Sequence, residues 1–248
     1  MVDLKYREEV DGLRALAVIS IVIYHFFPGL MPKGYLGVDI FFVISGYLIT
    51  GKLIFLKNSN FQRPILTFYL RRIKRIFPAL FVFFLITTFL IINILLKSDI
   101  DKYSSSLFSS KTIWSNIYFW RDGGYFGGND QLKPLLHTWS LSVEEQFYLL
   151  YPSFILICYW IKKKLNLPII IFIFAIIILS FLLWFYLNLI GVENTAFFLL
   201  PARAWQFGLG ALIFFLMLKK NILHNSLKNI ILIISIIFIT CGLFLSKY

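Results

Sequence analysis

Apolar residues in this chain come in long runs divided by short polar stretches, and the runs set the architecture. The first covers about residues 13–27 and stops at Pro28-Gly29; the second covers about 35–56 and carries Gly37, Gly46 and Gly51. Others follow at about 76–96, 139–161, 168–190, 197–218 and 229–245. Each approaches the roughly 20 residues that a helix needs to cross a hydrocarbon core, and in lipid a helix satisfies its own backbone. The pattern predicts an all-α fold, a polytopic transmembrane helix bundle of about seven spans. The first run is short for a span, so Arg14 is expected to snorkel toward one surface. Within 57–75, Pro64 can open an interfacial helix that leads into the third span. The stretch 97–137 is polar, with Gly-Gly pairs starting at Gly123 and Gly127. A connection of that length is expected to be functional or partly folded.

Composition agrees with the pattern. A hydrophobic fraction of 59%, 28 Phe and a mean hydropathy of +0.81 lie outside what soluble domains show. The net charge of +12 does not point to nucleic acid, because the basic residues cluster in short loops between apolar runs. Positions 57–75, Lys162 to Lys164 and 219–228 are the strongly basic connections, and they fall on one side if the N-terminus is cytoplasmic. Membrane lipid is then the main surrounding. The acidic Glu8, Glu9 and Asp11 ahead of the first run, with no small-residue cleavage site after it, exclude a signal peptide. Cys158 and Cys241, the only two cysteines, sit inside apolar runs and suggest neither a disulfide framework nor a metal site.

Costly polar residues within the apolar runs mark the candidate chemistry. Arg14 and His25 lie at the two ends of the first helix. Eleven positions at about 100° each bring them back to nearly the same face, roughly 16 Å apart along the axis. Such a pair in lipid suggests a polar cavity. Glu144 and Glu145 enter the fourth run at a depth similar to His25 under the cytoplasmic-N topology. A carboxylate beside the imidazole would fix its tautomer and raise its basicity, allowing it to take a proton from a hydroxyl. The plainer reading is a buried pair that only fixes helix packing.

Arg71 and Arg75, four apart, can share a helix face and grip phosphate, or simply flank a span on its cytoplasmic side. Asp39 needs a partner or a cavity, and Arg203 near the outer end of the sixth run is expected to snorkel. Ser45, Ser140 and Ser142 can serve as nucleophiles only weakly, since no nucleophile elbow surrounds them. Trp139, Trp205 and Tyr148 read as interface or packing aromatics. No phosphate-binding loop, dinucleotide fingerprint or metal-ligand spacing is found, so the expected metal set is none.

Together these residues resemble the acyltransferase-3 family of membrane O-acyltransferases, which includes O-antigen acetylases. The resemblance rests on Asp11-Gly-Leu-Arg14 with His25, on Gly37-Val-Asp39 through Ser45-Gly46 to Thr50, and on Phe68-Tyr-Leu-Arg71-Arg72-Ile-Lys-Arg75-Ile-Phe-Pro78. It continues in His137-Thr-Trp-Ser-Leu-Ser-Val-Glu144-Glu145-Gln146-Phe-Tyr148, with Arg203-Ala-Trp205 and Gly208-Leu-Gly210 as a weaker later signature. It covers nearly the whole chain. The fourth block looks most like the subgroup often fused to an SGNH hydrolase-like domain.

The resemblance implies transfer of an acyl group, commonly acetyl from acetyl-CoA, to a hydroxyl of a cell-envelope polysaccharide such as lipopolysaccharide or its lipid-linked precursor. Acyl-CoA would be a donor substrate rather than a resident cofactor, and the setting would be a bacterial cytoplasmic membrane. By analogy Arg14 and His25 form the essential pair, with Glu144 or Glu145 orienting His25; Arg14, Arg71 and Arg75 hold the donor, and Asp39 and Arg203 support the site. Residues 1–248 then read as the N-terminal part of such a domain, its last spans and any SGNH domain or partner protein lying elsewhere. A transporter of a small solute or glycan intermediate, and an inactive anchoring fragment, remain as alternatives.

Overall fold

The computed structural model describes residues 7–58, 64–123, 133–218, 235, 239 and 242–244, with the side chains of 56–58, 64 and 98 left aside. Among them the regular structure is helical and contains no strand. The helices are α1 (Glu8–Phe26), α2 (Gly37–Asn58), α3 (Pro64–Ile91), α4 (Lys97–Lys111), α5 (Ser115–Arg121), α6 (Thr138–Leu165), α7 (Ile169–Leu189), α8 (Glu193–Phe198) and α9 (Leu200–Leu218).

Four helical stretches among the described residues are long and apolar enough to cross a membrane: Gly34–Phe55, Ile65–Ile91, Ile169–Leu189 and Leu200–Leu218. Phe89 on α3 is 73% exposed and Leu179 on α7 is 68% exposed, surfaces that suit hydrocarbon rather than water. Helices α1 and α6, also expected as spans, are interrupted by Glu9, Asp11 and Arg14 and by Glu144, Glu145 and the terminal lysines. The expected seventh run, 229–245, lies almost wholly outside the described residues, as do His224 and Cys241. A count of seven spans is therefore not established by these helices.

The middle of the chain refines two expectations. The interfacial segment and the third span form one helix, α3, of 28 residues, about 42 Å long. Pro64 opens it, where a missing N–H costs little, and Pro78 is accommodated within it. The polar stretch 97–137, expected to be functional or partly folded, holds two helices, α4 and α5.

The chain divides into two compact units, one of residues Met1–Gly51 and Gln206–Tyr248, the other of Lys52–Trp205. In the first, small residues allow backbones to touch. A Cβ on Gly46 would overlap the Phe207 carbonyl, and one on Gly210 would overlap the Val43 carbonyl, so α2 and α9 approach through bare glycine. Phe42 stacks on Phe207 beside that approach, centroids 4.6 Å apart. Gly34 and Gly37 back onto Ser20 and Ala17 of α1 in the same manner, and Ala17 and Ser20 are buried there.

In the second unit the contacts are polar. Thr138, Ser142 and Gln146 recur every fourth residue on α6 and so share one face. Thr138 bonds Ser110 at 2.8 Å and Ser142 bonds Ser115 at 2.7 Å. Gln146 and Asn116 form a reciprocal amide pair, at 2.9 and 3.3 Å. Their remaining N–H groups donate to the carbonyls of Ile113 at 3.0 Å and Phe198 at 3.1 Å. Ile113 has φ 66°, a left-handed conformation that costs a β-branched residue roughly 1–2 kcal/mol, and Gln146 holds its carbonyl. The α4–α5 segment is thereby seated on α6.

Two stability predictions follow from these contacts. Gly210→Ala should destabilise by about 2 kcal/mol, since a backbone carbonyl cannot move aside like a flexible side chain. Gly12→Ala, with nothing within 4 Å of the added carbon, should leave the thermal midpoint level or raise it. Gln146→Ala strands the Asn116 amide and the Ile113 carbonyl, and should cost at least about 2 kcal/mol. Ser140→Ala on the same helix should stay within about 0.5 kcal/mol. Thermal unfolding of the purified chain in detergent reads all four.

Candidate active site

The first unit carries the Arg14 and His25 candidates. Three acidic residues, Glu8, Glu9 and Asp11, occupy the start of α1, and His25 occupies its last turn. That order suits the helix dipole at both ends. Arg14 Nη1 reaches Asp11 Oδ1 at 3.4 Å across one turn, a partly exposed pair. The Asp11-Gly-Leu-Arg14 motif thus joins its two charged ends. His25 is exposed, its ring edge-on to Tyr24 at 5.2 Å, and Tyr24 meets Tyr35 at 5.4 Å. Arg14 and His25 share a face about a quarter-turn from the buried Ala17–Ser20 side. Asp39 lies half-buried in the first turn of α2, where a carboxylate is favoured by the amide dipoles.

The second unit carries the carboxylates and the remaining arginines. Glu144 accepts a hydrogen bond from the Tyr148 hydroxyl one turn along α6. Arg72 of α3 places its guanidinium over the Tyr148 ring, 4.0 Å from the centroid, and 5.9 Å from the Phe68 ring. Tyr69 ties the same helices together, donating to the Leu149 carbonyl at 2.9 Å. The charges of Glu144 and Arg72 both act on Glu145, and Glu145 Oε1 is buried with no hydrogen-bond partner. A buried polar atom without a partner is rare in folded proteins and calls for a reason. Arg71 and Arg75 lie on exposed positions of α3, four apart on one face as expected.

Arg203 does not snorkel. It is only 6% exposed, donates from Nε to the Phe197 carbonyl at 2.9 Å, and lies over the rings of Phe197 at 4.7 Å and Trp139 at 5.7 Å. The cause is the break between α8 and α9 at Leu199, whose φ of −94° and ψ of 132° are extended. A helix end leaves carbonyls without partners; here Arg203 takes that of Phe197 and Asn116 that of Phe198. Ser180 completes the join, donating to the Pro201 carbonyl at 2.6 Å and accepting from the Trp205 N–H at 2.9 Å.

Ser142, a candidate nucleophile by residue type, is buried and bonded to Ser115, while Ser140 bonds the His137 carbonyl. Tyr148, read from the sequence as a packing or interface aromatic, and Arg72, part of the basic motif, both act on the carboxylate pair. The every-fourth-residue spacing of Thr138, Ser142 and Gln146 was a readable signal for a docking face. His25 and the carboxylates belong to different units. Among the described residues no cluster of His, Cys, Asp and Glu fit to hold a metal occurs.

Comparison with known proteins bears on the same motifs. A family model described as an acyltransferase domain matches residues 7–248. The chain is 39% identical over 171 residues to a peptidoglycan O-acetyltransferase, OatA, of Listeria monocytogenes, covering 67% of this chain and 27% of the relative. It is 35% identical over 216 residues to a putative O-acetyltransferase of Staphylococcus aureus strain MSSA476, covering 86% of this chain and 35% of the relative. The O-acetyltransferase OatA of Staphylococcus aureus strain NCTC 8325 is 35% identical over 223 residues, with 88% and 36% covered. The chain thus spans about a third of the length of these curated relatives. Their names give no support to lipopolysaccharide as the acceptor, the first naming peptidoglycan instead. No solved structure matches the chain. With the family model spanning residues 7–248 and carrying both units, the chain belongs to the acyltransferase-3 family of membrane O-acyltransferases.

Proposed function

We propose that this chain carries the membrane part of an O-acyltransferase that moves an acetyl group from acetyl-CoA to a hydroxyl of a cell-envelope glycan, with peptidoglycan the first acceptor to test. The family match supports acyl transfer, and the name of one relative supports the acceptor class. The single observation that carries the residue assignment is the placement of Arg14 and His25 on one face of α1, about a quarter-turn from its buried Ala17–Ser20 side. An imidazole left accessible within an apolar helix suits proton transfer better than packing.

In this reading His25 takes the proton of the acceptor hydroxyl while the hydroxyl oxygen attacks the thioester carbonyl carbon. The new C–O bond forms, the C–S bond breaks, and the departing CoA thiolate takes the proton that His25 received. Glu144 or Glu145 serves as the carboxylate of the reaction, Glu145, whose Oε1 is buried with no hydrogen-bond partner, being the stronger choice. Arg71 and Arg75, exposed at the start of α3, suit the phosphates of the donor, with Arg14 assisting. Asp39 and Arg203 act as supports, Arg203 by closing the α8–α9 join. The setting is a bacterial cytoplasmic membrane with the N-terminus inside, as the basic loops imply. An SGNH-type domain or separate partner would act on the acetyl group or the acceptor beyond the membrane.

The test compares glycan O-acetylation in cells producing wild-type, His25→Ala and Arg14→Ala proteins at equal levels. Each variant should lose acetylation by a factor of about 100 or more; unchanged acetylation in both would sink the proposal. In membranes, Arg71→Ala and Arg75→Ala should each raise the KM for acetyl-CoA about tenfold and leave kcat near wild type. A fall in kcat at constant KM would remove these arginines from donor binding.

A further inference from the structure

A cavity of about 580 Å³ lies within the second unit, between α4, α5 and the segment entering α6, and none of the candidate active-site residues lines it. Its size falls in the roughly 300–1,000 Å³ range of small-molecule sites. Tyr103, Ser106 and Phe119 form buried walls, 8%, 5% and 1% exposed. Tyr118, Asp99 and Asp122 also line it, with Lys102 and Lys133. At its edge, Ile94 and Leu96 just beyond α3 are 78% and 71% exposed. Since α3 is one of the helices able to cross a membrane, this apolar rim places the cavity at the membrane boundary.

The hydrogen-bond directions decide what the cavity would take. The Thr88 hydroxyl donates to the Phe84 carbonyl at 2.7 Å, so the Tyr103 hydroxyl must donate to Thr88, at 2.8 Å. Ser106 donates to the Tyr103 carbonyl at 2.7 Å, and Tyr118 donates to the Lys102 carbonyl at 3.1 Å. Burial, with the charge of Asp122 second, raises the Tyr118 phenol above its ordinary pKa, so it stays protonated and keeps that role. Each hydroxyl hydrogen is used by the protein, and the lone pairs remain. Lys133 is held by Asp122, at 3.1 Å from its carboxylate and 2.7 Å from its carbonyl. Two carboxylates balance two ammonium groups, leaving no net charge to attract an anion.

We infer that this cavity is a saccharide-binding subsite, which holds an uncharged segment of the acceptor glycan through its hydroxyl groups. The lining offers acceptors for sugar O–H donors, and the half-buried ring of Tyr118 offers apolar surface to the C–H face of a pyranose. A phosphate or carboxylate ligand would meet lone pairs, and lysines whose charge the two aspartates already balance. Under the charge-derived topology, α4 and α5 follow the outer end of α3, on the acceptor's side of the membrane. The inference rests on the glycan acceptor proposed above, and the amide pair that seats α5 on α6 keeps one wall fixed.

The test uses the whole chain in lipid nanodiscs and the uncharged probe N,N′-diacetylchitobiose, with binding followed by saturation-transfer NMR and titration. Wild type should bind the probe. Asp99→Asn and Tyr118→Leu should each raise its Kd about tenfold, the loss of one charge-assisted hydrogen bond or one packed ring. Acetyl-CoA binding, measured on the same samples, should not change, which separates a local loss from misfolding. An unchanged Kd in both variants overturns the inference, and so does a wild type that fails to bind the probe. A chain that binds the probe here yet transfers no acetyl group overturns the proposed function and leaves the subsite standing.

Discussion

Asn116 and Gln146 present four amide hydrogens inside the second unit, and each finds an acceptor. In surroundings that offer no water, an unmet amide hydrogen costs more than its bond would contribute at a surface. Meeting all four at once fixes several things together. It fastens α5 to α6, holds the left-handed turn at Ile113, and takes the carbonyl that the end of α8 leaves open. The serine and threonine contacts of Thr138 and Ser142 extend the same seam toward the start of α6. The platform formed by α4 and α5, and the cavity along it, exist because this seam closes.

The first unit is held by a different force. Lipid tails are as apolar as leucine, so apolar side chains give little drive for one membrane helix to seek another. Close backbone approach through Gly46 and Gly210 multiplies dispersion contacts and adds the stacked Phe42 and Phe207. Gly34 and Gly37 do the same for α1. Packing on small residues uses only one side of α1. Arg14 and His25 lie about a quarter-turn from that side, with Ile21, on their own line of the helix, already meeting Gly37.

How much of this was legible in the sequence depended on whether apolar periodicity carried the signal. Helices α2 and α7 begin and end close to their apolar runs, in which polar residues are few and scattered. The α4–α5 segment was not legible as helix, because it is seated by serine, threonine and amide side chains rather than by an apolar stripe. Arg203 was misread for a related reason. Its partner is a carbonyl that becomes available only at the extended residue Leu199, and the break cannot be seen in a continuous apolar run. Ser142 was weighed as a nucleophile by its residue type, while its register with Thr138 and Gln146 already described a bonded face. The four membrane-capable helices support the class read from composition; charge within α1 and α6 is what separates those helices from the plain spans.

Glu144 and Glu145 are neighbours in sequence, but about 100° of helix rotation gives them different surroundings. Glu144 receives the Tyr148 hydroxyl, whose ring in turn carries the guanidinium of Arg72. Those contacts alone would account for a carboxylate kept to fix α6 against α3. Glu145 also lies within reach of the Arg72 charge, but no hydrogen bond meets its Oε1. One of its oxygens is buried without a donor, and a residue retained only for packing gains nothing from that cost, since an apolar side chain of similar size would avoid it. The plain structural reading therefore accounts for Glu144 and leaves the Oε1 of Glu145 without an explanation. Of the two carboxylates, the functional proposal leans on Glu145.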